Sequence, residues 1–232
     1  SRGYPGSGIY RHTWLTVTGP IHVPAWGVFV TTPEQTRQKA VVKISAEVRN
    51  ASRAAADVVV RVRVLDAGGE TVRTGETRLQ LPANETRPAE QTLEVLSPKL
   101  WSLDAPELYS ADVEIVAAGR TVDKVSSHFG IRRIEMDAEH GFRLNGEMLK
   151  LKGGCIHHDN GPLGAAAIDR AEERRVELLK ANGFNAIRTS HNPPSQALLN
   201  ACDRLGMVVI DEAFEMWQRP KNPEDYHRFF DE

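Results

Sequence analysis

The pattern of this chain changes at Gly130. Before it, apolar residues recur at every second position in short runs. After it, short apolar runs alternate with helix-like stretches. A period of two specifies strands with one face buried. Alternating strands and helices specify parallel strands joined by crossovers. The chain is therefore read as two architectures in series, which suits a length of 232 residues.

The first part is clean from Lys39 onward. Val42, Ile44, Ala46 and Val48 alternate with Lys43, Ser45, Glu47 and Arg49, and Val58, Val60, Val62 and Val64 with Val59, Arg61, Arg63 and Leu65. Asn50–Arg53, Asp66–Gly69, Pro82–Glu85 and Gly119 mark turns. Runs at 71–77, 86–96, 109–117 and 122–128 continue the series. Six or seven short antiparallel strands over about 100 residues, with no helix between them, predict an immunoglobulin-like β-sandwich. Arg61 and Arg63 are read as its solvated face. Further strands are expected at Ile9–Thr18 and Trp26–Val30, after a turn-rich loop over 1–8.

The second part reads strand, helix, strand, helix, strand. The strands are placed at Met148–Lys152, Asn185–Arg188 and Met207–Ile210. Ile168, Ala171, Val176 and Leu179 line one face of the first helix, which Asn182-Gly183 ends. Leu198, Leu199, Cys202 and Leu205 stripe the second, with Pro193 and Pro194 in its first turn and Gly206 at its end. Each strand finishes on polar residues: His157, His158 and Asp159; Arg188, Thr189, Ser190 and His191; Asp211, Glu212 and, a little later, Glu215. Side by side at the carboxyl ends of parallel strands, these groups form the rim on which β/α barrels place ligands. Strand-end histidines favour a functional reading of His157 and His191. For Arg188 and Asp211 a purely structural ion pair is an equal alternative. Trp217, after the third strand, would either offer a flat aromatic face to a ligand or pack the loop.

Other chemistries fit less well. His157, His158, Asp159 and His191 could ligate a metal, but neighbours in an extended segment face opposite ways and zinc spacings are absent. No Gly-x-Ser-x-Gly elbow is present. The two cysteines, Cys155 and Cys202, are expected to be free and buried. A formal net charge of −2 gives no reason to expect nucleic acid. No apolar run approaches the roughly 20 residues of a membrane span. His12, His22, His128 and His140 are read as ordinary surface or interdomain residues. The chain begins at Ser1 without an initiator Met or signal-peptide pattern and is expected to be part of something longer.

Asn185-Ala-Ile-Arg-Thr-Ser-His-Asn-Pro-Pro194, continued by Leu198, Asp203, Leu205-Gly206 and the run to Ile210-Asp211-Glu212, resembles the signature of glycoside hydrolase family 2. That family contains β-galactosidases, β-glucuronidases and β-mannosidases. Leu100-Trp-Ser-Leu-Asp-Ala-Pro-Glu-Leu-Tyr109 resembles a segment of its immunoglobulin-like domain, with Leu103 where Pro is usual. Phe129–Arg132 resembles the junction into the barrel, and Lys152–Ala165 the segment after the first barrel strand.

The resemblance implies a multidomain chain. Residues 1–22 would end a jelly-roll sugar-binding domain, 23–129 would be the immunoglobulin-like sandwich, and 130–232 the first third of a TIM (β/α)8 catalytic barrel. It implies retaining hydrolysis of terminal β-linked sugars, most like a β-galactosidase. His157 matches a histidine lining the sugar subsite. Arg188 and His191 match the signature's Arg and His, and Trp217 is added as a candidate sugar contact. Asp211 and Glu212 match a structural acidic pair, and Asp159 is placed with them. Both catalytic glutamates are expected beyond Glu232, since the only Asn-Glu pair, Asn84-Glu85, lies in a sandwich turn. Phe214–Gln218 does not reproduce the Glu-x-His arrangement of magnesium ligands, so no cofactor is assigned, and magnesium or sodium in the parent enzyme is unsupported. The expected partner is a carbohydrate; a homo-oligomeric parent is left open. A non-catalytic carbohydrate-binding module and a metal-dependent barrel hydrolase are the competing classes.

Overall fold

Val42, Ile44, Ala46 and Val48 are all buried, and the residues between them are not. This alternation fixes the register of the N-terminal sheets. Each buried Val or Ile contributes about 1.5–3 kcal/mol, and a one-residue slip would turn the whole set to water. The computed structural model describes residues 9–191 and 193–213. They form two compact units, one of residues 14–149 and one of residues 9–13 with 150–213.

In the first unit, β1 (Ile21–His22) and β2 (Val28–Gln35) pair with one edge of β3 (Lys39–Asn50), and β6 (Thr86–Leu96) with the other. The second sheet has the order β5 (Thr71–Leu81), β4 (Ala56–Leu65), β7 (Tyr109–Ala117), β8 (Arg120–Phe129). All pairings are antiparallel. Val58, Val60, Val62 and Val64 share one core cluster with the β3 residues and with Ala111, Val113 and Ile115. This is the sandwich that the alternation predicts. Arg61 and Arg63 point outward, paired with Glu76 and Asp112. A small sheet of β9 (Ile134–Asp137), β10 (Gly141–Leu144) and β11 (Glu147–Met148) completes the unit.

The second unit holds three parallel strands, β12 (Gly153–Ile156), β13 (Ala186–Thr189) and β14 (Val208–Ile210), in that order. Helices α1 (Asp169–Ala181) and α2 (Gln196–Leu205) connect them. Val176, Leu198, Ala201 and Cys202 from the helices pack with Ile187 and Met207. Gly206, in the left-handed region at φ 74°, ends α2 as the sequence predicts. Among the described residues no helix is long and apolar enough to cross a membrane.

Several expectations shift. The Ile9–Thr18 segment forms no strand, and Trp14, Leu15 and Val17 are exposed. Alternation alone does not hold a strand, which needs a neighbouring edge for its backbone groups. Trp26 sits in a turn at φ 62°, so the next strand starts at Val28. The first parallel strand is Gly153–Ile156 rather than Met148–Lys152. A Cβ on Gly153 would lie 2.4 Å from the Ala186 carbonyl oxygen, so the two glycines that conceal this strand in the sequence include one that lets the strands approach. Pro193 and Pro194 precede α2, because the Ser195 hydroxyl caps it by accepting from the Leu198 amide at 3.2 Å.

Cys155 is exposed, contrary to expectation, whereas Cys202 is buried. On a strand, alternate residues face opposite ways. Ile156 packs toward the helices, which turns Cys155 to the other face beside Arg188. Burial, aided by the negative charge of Asp203, pushes the Cys202 thiol up to about 12. At pH 8 a thiol reagent is thus expected to label Cys155 alone until the protein is denatured. Equal labelling rates at both positions in the native protein would refute this.

Candidate functional site

The polar strand ends converge through Thr189. This buried residue closes β13 and bridges to the segment after β14. Its hydroxyl donates to Asp211 Oδ1 at 3.1 Å and accepts from the Glu212 amide at 3.1 Å. One residue on, the Ser190 amide donates to the Ile156 carbonyl at 2.8 Å and carries the pairing with β12 past its end. The Ser190–His191 peptide bond is cis.

With its backbone held there, Glu212 receives two partners on different oxygens. Arg188 Nε donates to Oε1 at 2.5 Å, and a second guanidinium nitrogen reaches the same oxygen. His191 Nδ1 lies 3.1 Å from Oε2. A carboxylate only accepts, so this His191 nitrogen must carry a proton. The Arg188 guanidinium also lies 3.8 Å from Cys155 Sγ. The His157 and His191 rings meet edge to face, with centroids 5.5 Å apart. The structure therefore brings Arg188, His191, Glu212 and His157 together. Arg188 takes Glu212 and not Asp211 as its partner, so the pairing weighed from the sequence is replaced by its neighbour.

The remaining candidates are placed differently. The Asp159 side chain is not part of this cluster; its backbone amide donates to the His157 carbonyl at 2.8 Å. His158 meets the Tyr10 ring at 5.4 Å and lies 3.4 Å from an Arg11 nitrogen. His157 and His158 thus serve different neighbours. Trp217 and Glu215 lie outside the described residues, as does the Phe214–Gln218 stretch compared with magnesium ligands. Among the described residues no group of three or more His, Cys, Asp or Glu could hold a metal ion.

Sequence reasoning missed two supports. Arg11 donates to the Pro193 carbonyl at 2.6 Å and approaches His158, which fastens the segment before the strands to the loop after β13. Nothing in the irregular composition of 9–13 signals this. Glu172, buried in α1, accepts from Asn160 Nδ2 at 2.8 Å and from the Ser195 hydroxyl at 3.3 Å. A signal did exist here: Glu172 falls midway between Ile168 and Val176 at i, i+4 spacing, a charged residue on the apolar face.

The electrostatics are set by the same contacts. Burial pushes the Glu212 carboxyl up, but hydrogen bonds from Arg188 and His191, backed by their charge, outweigh it and hold the carboxyl below the usual carboxylate range. The hydrogen bond to Glu212 likewise raises Arg188. A carboxyl depressed by folding stabilises the fold above its ordinary value, and this contribution is lost as pH falls through the folded value. In a carbon-13 titration, Glu212 is expected to ionise below a free glutamate. Arg188→Ala should move the midpoint up. A wild-type midpoint at or above the free value would contradict the pairing.

Residues 21–132 match the model of glycosyl hydrolases family 2, and residues 135–223 match that family's TIM barrel domain. A β-galactosidase of Bacteroides ovatus is 42% identical over the whole chain, which spans 27% of that protein. A putative β-glucuronidase of Formosa agariphila is 37% identical, again over all of this chain and 22% of the relative. Among solved structures, a family 2 member from Bacteroides cellulosilyticus superposes with a TM-score of 0.91 at 52% identity, covering 98% of this chain and 29% of that one. A Bacteroides uniformis β-glucuronidase gives 0.86 at 31%, covering 95% and 28%. The chain thus spans about a quarter of the curated relatives it matches. It belongs to glycosyl hydrolase family 2, as the family's β-sandwich followed by the start of its TIM barrel.

Proposed function

We propose that this chain supplies one wall of the sugar pocket of a retaining β-glycosidase, a β-galactosidase in preference to a β-glucuronidase or β-mannosidase. The observation that carries the reading is the Glu212 carboxylate, which fastens Arg188 and His191 at adjacent strand ends with His157 against His191. Imidazole and guanidinium groups fixed in this way present directional donors to sugar hydroxyls. Of the remaining candidates, Asp211 and Asp159 act structurally in this reading and Trp217 is a further sugar contact. In this reading 1–22 lead in from the end of a jelly-roll domain, although Ile21 and His22 already pair with β3, 23–129 are the sandwich and 130–232 open the catalytic barrel.

Within this cluster the charges favour a neutral sugar over a uronate. A uronate brings its own carboxylate, which needs an unsatisfied cation. Arg188 already spends its charge on Glu212. The relative of 42% identity is also named a β-galactosidase.

Retaining hydrolysis needs two carboxyl groups about 5–5.5 Å apart, one as nucleophile and one as acid/base. Here Glu212 is held by Arg188 and His191, and Asp211 accepts from Thr189. Neither is placed to attack a sugar, so the 232-residue chain alone is expected to show no turnover. Exchanged for the matching segment of the B. ovatus enzyme, it should support hydrolysis of p-nitrophenyl β-galactoside with retained anomeric configuration. A folded hybrid that cleaves only the β-glucuronide favours the glucuronidase reading. One that binds galactose but cleaves nothing favours a binding module. Turnover by the isolated chain would overturn the assignment of the chemistry to residues outside it.

A further inference from the structure

We propose that Arg175, Asn160 and Glu172 are positioning residues, which set where His157 stands relative to His191. The inference rests on the reading of those two histidines as sugar-pocket residues. The three side chains form one continuous clamp beneath the rim. From α1, Arg175 Nη1 donates to the His157 carbonyl at 3.1 Å. Its Nη2 reaches both the Asp159 carbonyl and Asn160 Oδ1, the latter at 2.5 Å. Asn160 passes the link on, because its Nδ2 donates to Glu172 Oε1 at 2.8 Å and to the Ala166 carbonyl at 3.2 Å. The other Glu172 oxygen accepts from the Ser195 hydroxyl at 3.3 Å, and Ser195 caps α2.

One arm of the clamp therefore holds the loop after β12, which carries His157. The other holds the loop between β13 and α2, which starts at Ser190 and His191. Arg175 takes three acceptors of one loop, among them the His157 carbonyl, which also accepts from the Asp159 amide. By joining all three, its guanidinium fixes the course of the loop. Fork-shaped guanidinium geometry suits this task, whereas the three donors of an ammonium radiate from one nitrogen and span the acceptors less well.

The same geometry separates these residues from the sugar contacts. They surround a cavity of about 20 Å³ together with His157 and Arg11. Ligand pockets are typically about 300–1,000 Å³, so no sugar enters. The clamp acts on the substrate only through the histidine that it holds. A misplacement of about 1 Å at such a group can lower a rate by about a hundredfold.

The test uses carbon-13-labelled histidine in the 232-residue chain, with kinetics in the B. ovatus hybrid. Arg175→Ala is expected to shift and broaden the His157 imidazole signals and leave those of His22 and His140 in the sandwich unit unchanged. In the hybrid it should lower kcat/KM for the β-galactoside about ten- to a hundredfold. Arg175→Lys should recover part of both effects. Asn160→Ala, which leaves the helix charges intact, should reproduce them if the arginine variant does not fold. Unmoved His157 signals in a folded Arg175→Ala or Asn160→Ala protein would overturn the proposal. If instead the wild-type hybrid has no turnover, the sugar-pocket reading fails, while the histidine signals still decide whether the clamp positions His157.

Discussion

Trp101→Ala is expected to cost about 3–5 kcal/mol of unfolding free energy, the range for removing a fully buried large aromatic. Trp101 is only 1% exposed. A Cβ on Gly130 would lie 2.9 Å from Trp101 Cβ and 3.0 Å from Cγ, so the chain leaving β8 passes directly over the residue. The Arg132 guanidinium sits 4.7 Å above the ring centroid and adds a cation–π contact. The Trp101 amide donates to the Ile131 carbonyl at 2.8 Å, and its own carbonyl accepts from Asn145 at 3.0 Å. Trp101 thus ties the segment between β6 and β7 to the strand exit and to the β9–β11 sheet. Removing the ring leaves a cavity against the Gly130 backbone. Trp26→Ala is the control: that ring is 85% exposed and its loss should stay within about 0.5 kcal/mol. Denaturant unfolding followed through the sandwich measures both. A Trp101→Ala protein within 1 kcal/mol of wild type would show that the loop holds without its anchor.

What the sequence discloses follows from how local each interaction is. The β3, β4 and β7 alternations are local signals, and all three strands form where the pattern places them. The polar strand ends are also visible, because Arg188, His191 and Glu212 stand beside recognisable apolar runs. Partner choice is not. Whether Arg188 meets Asp211 or Glu212 depends on which side of the strand end each carboxylate leaves, and Thr189 decides it by taking Asp211. Asn50 shows the same limit. It reads as a turn residue, yet it is fully buried: its amide nitrogen donates to the carbonyls of Ala54, Leu81 and Pro82, and its oxygen accepts from Ser52. Leu81 and Pro82 are some thirty positions away, beyond any local pattern. Cys155 is exposed for a related reason. Its apolar character suggests burial, but strand parity assigns it to the face that carries Arg188.

The largest effect on activity is expected from Glu212→Ala in the B. ovatus hybrid, about a hundredfold loss of kcat/KM on the β-galactoside. Truncating Glu212 removes the acceptor shared by Arg188 and His191 in one step. Arg188 would then present an unpaired guanidinium at the rim, and the His191 ring would lose the contact that sets its tautomer and orientation. Glu212→Gln separates charge from shape. The amide keeps one oxygen, but its nitrogen must face either Arg188 or His191 Nδ1, both of which are donors in the wild type. It should fall between Glu212→Ala and wild type. Asp211→Asn is the sharper comparison, because the two acids are adjacent in sequence and unlike in role. Its Oδ1 can still accept from Thr189, and Arg188 and His191 Nδ1 both reach Glu212 instead, so its kcat/KM should stay near that of wild type. Acid sensitivity follows the same division. The Glu212 carboxyl is held below the usual range, so the cluster should survive mildly acidic conditions and fail only as pH drops through that lowered value. A folded Glu212→Ala hybrid with kcat/KM within about twofold of wild type would remove Glu212 from the account and leave His157 and His191 to be held by other means.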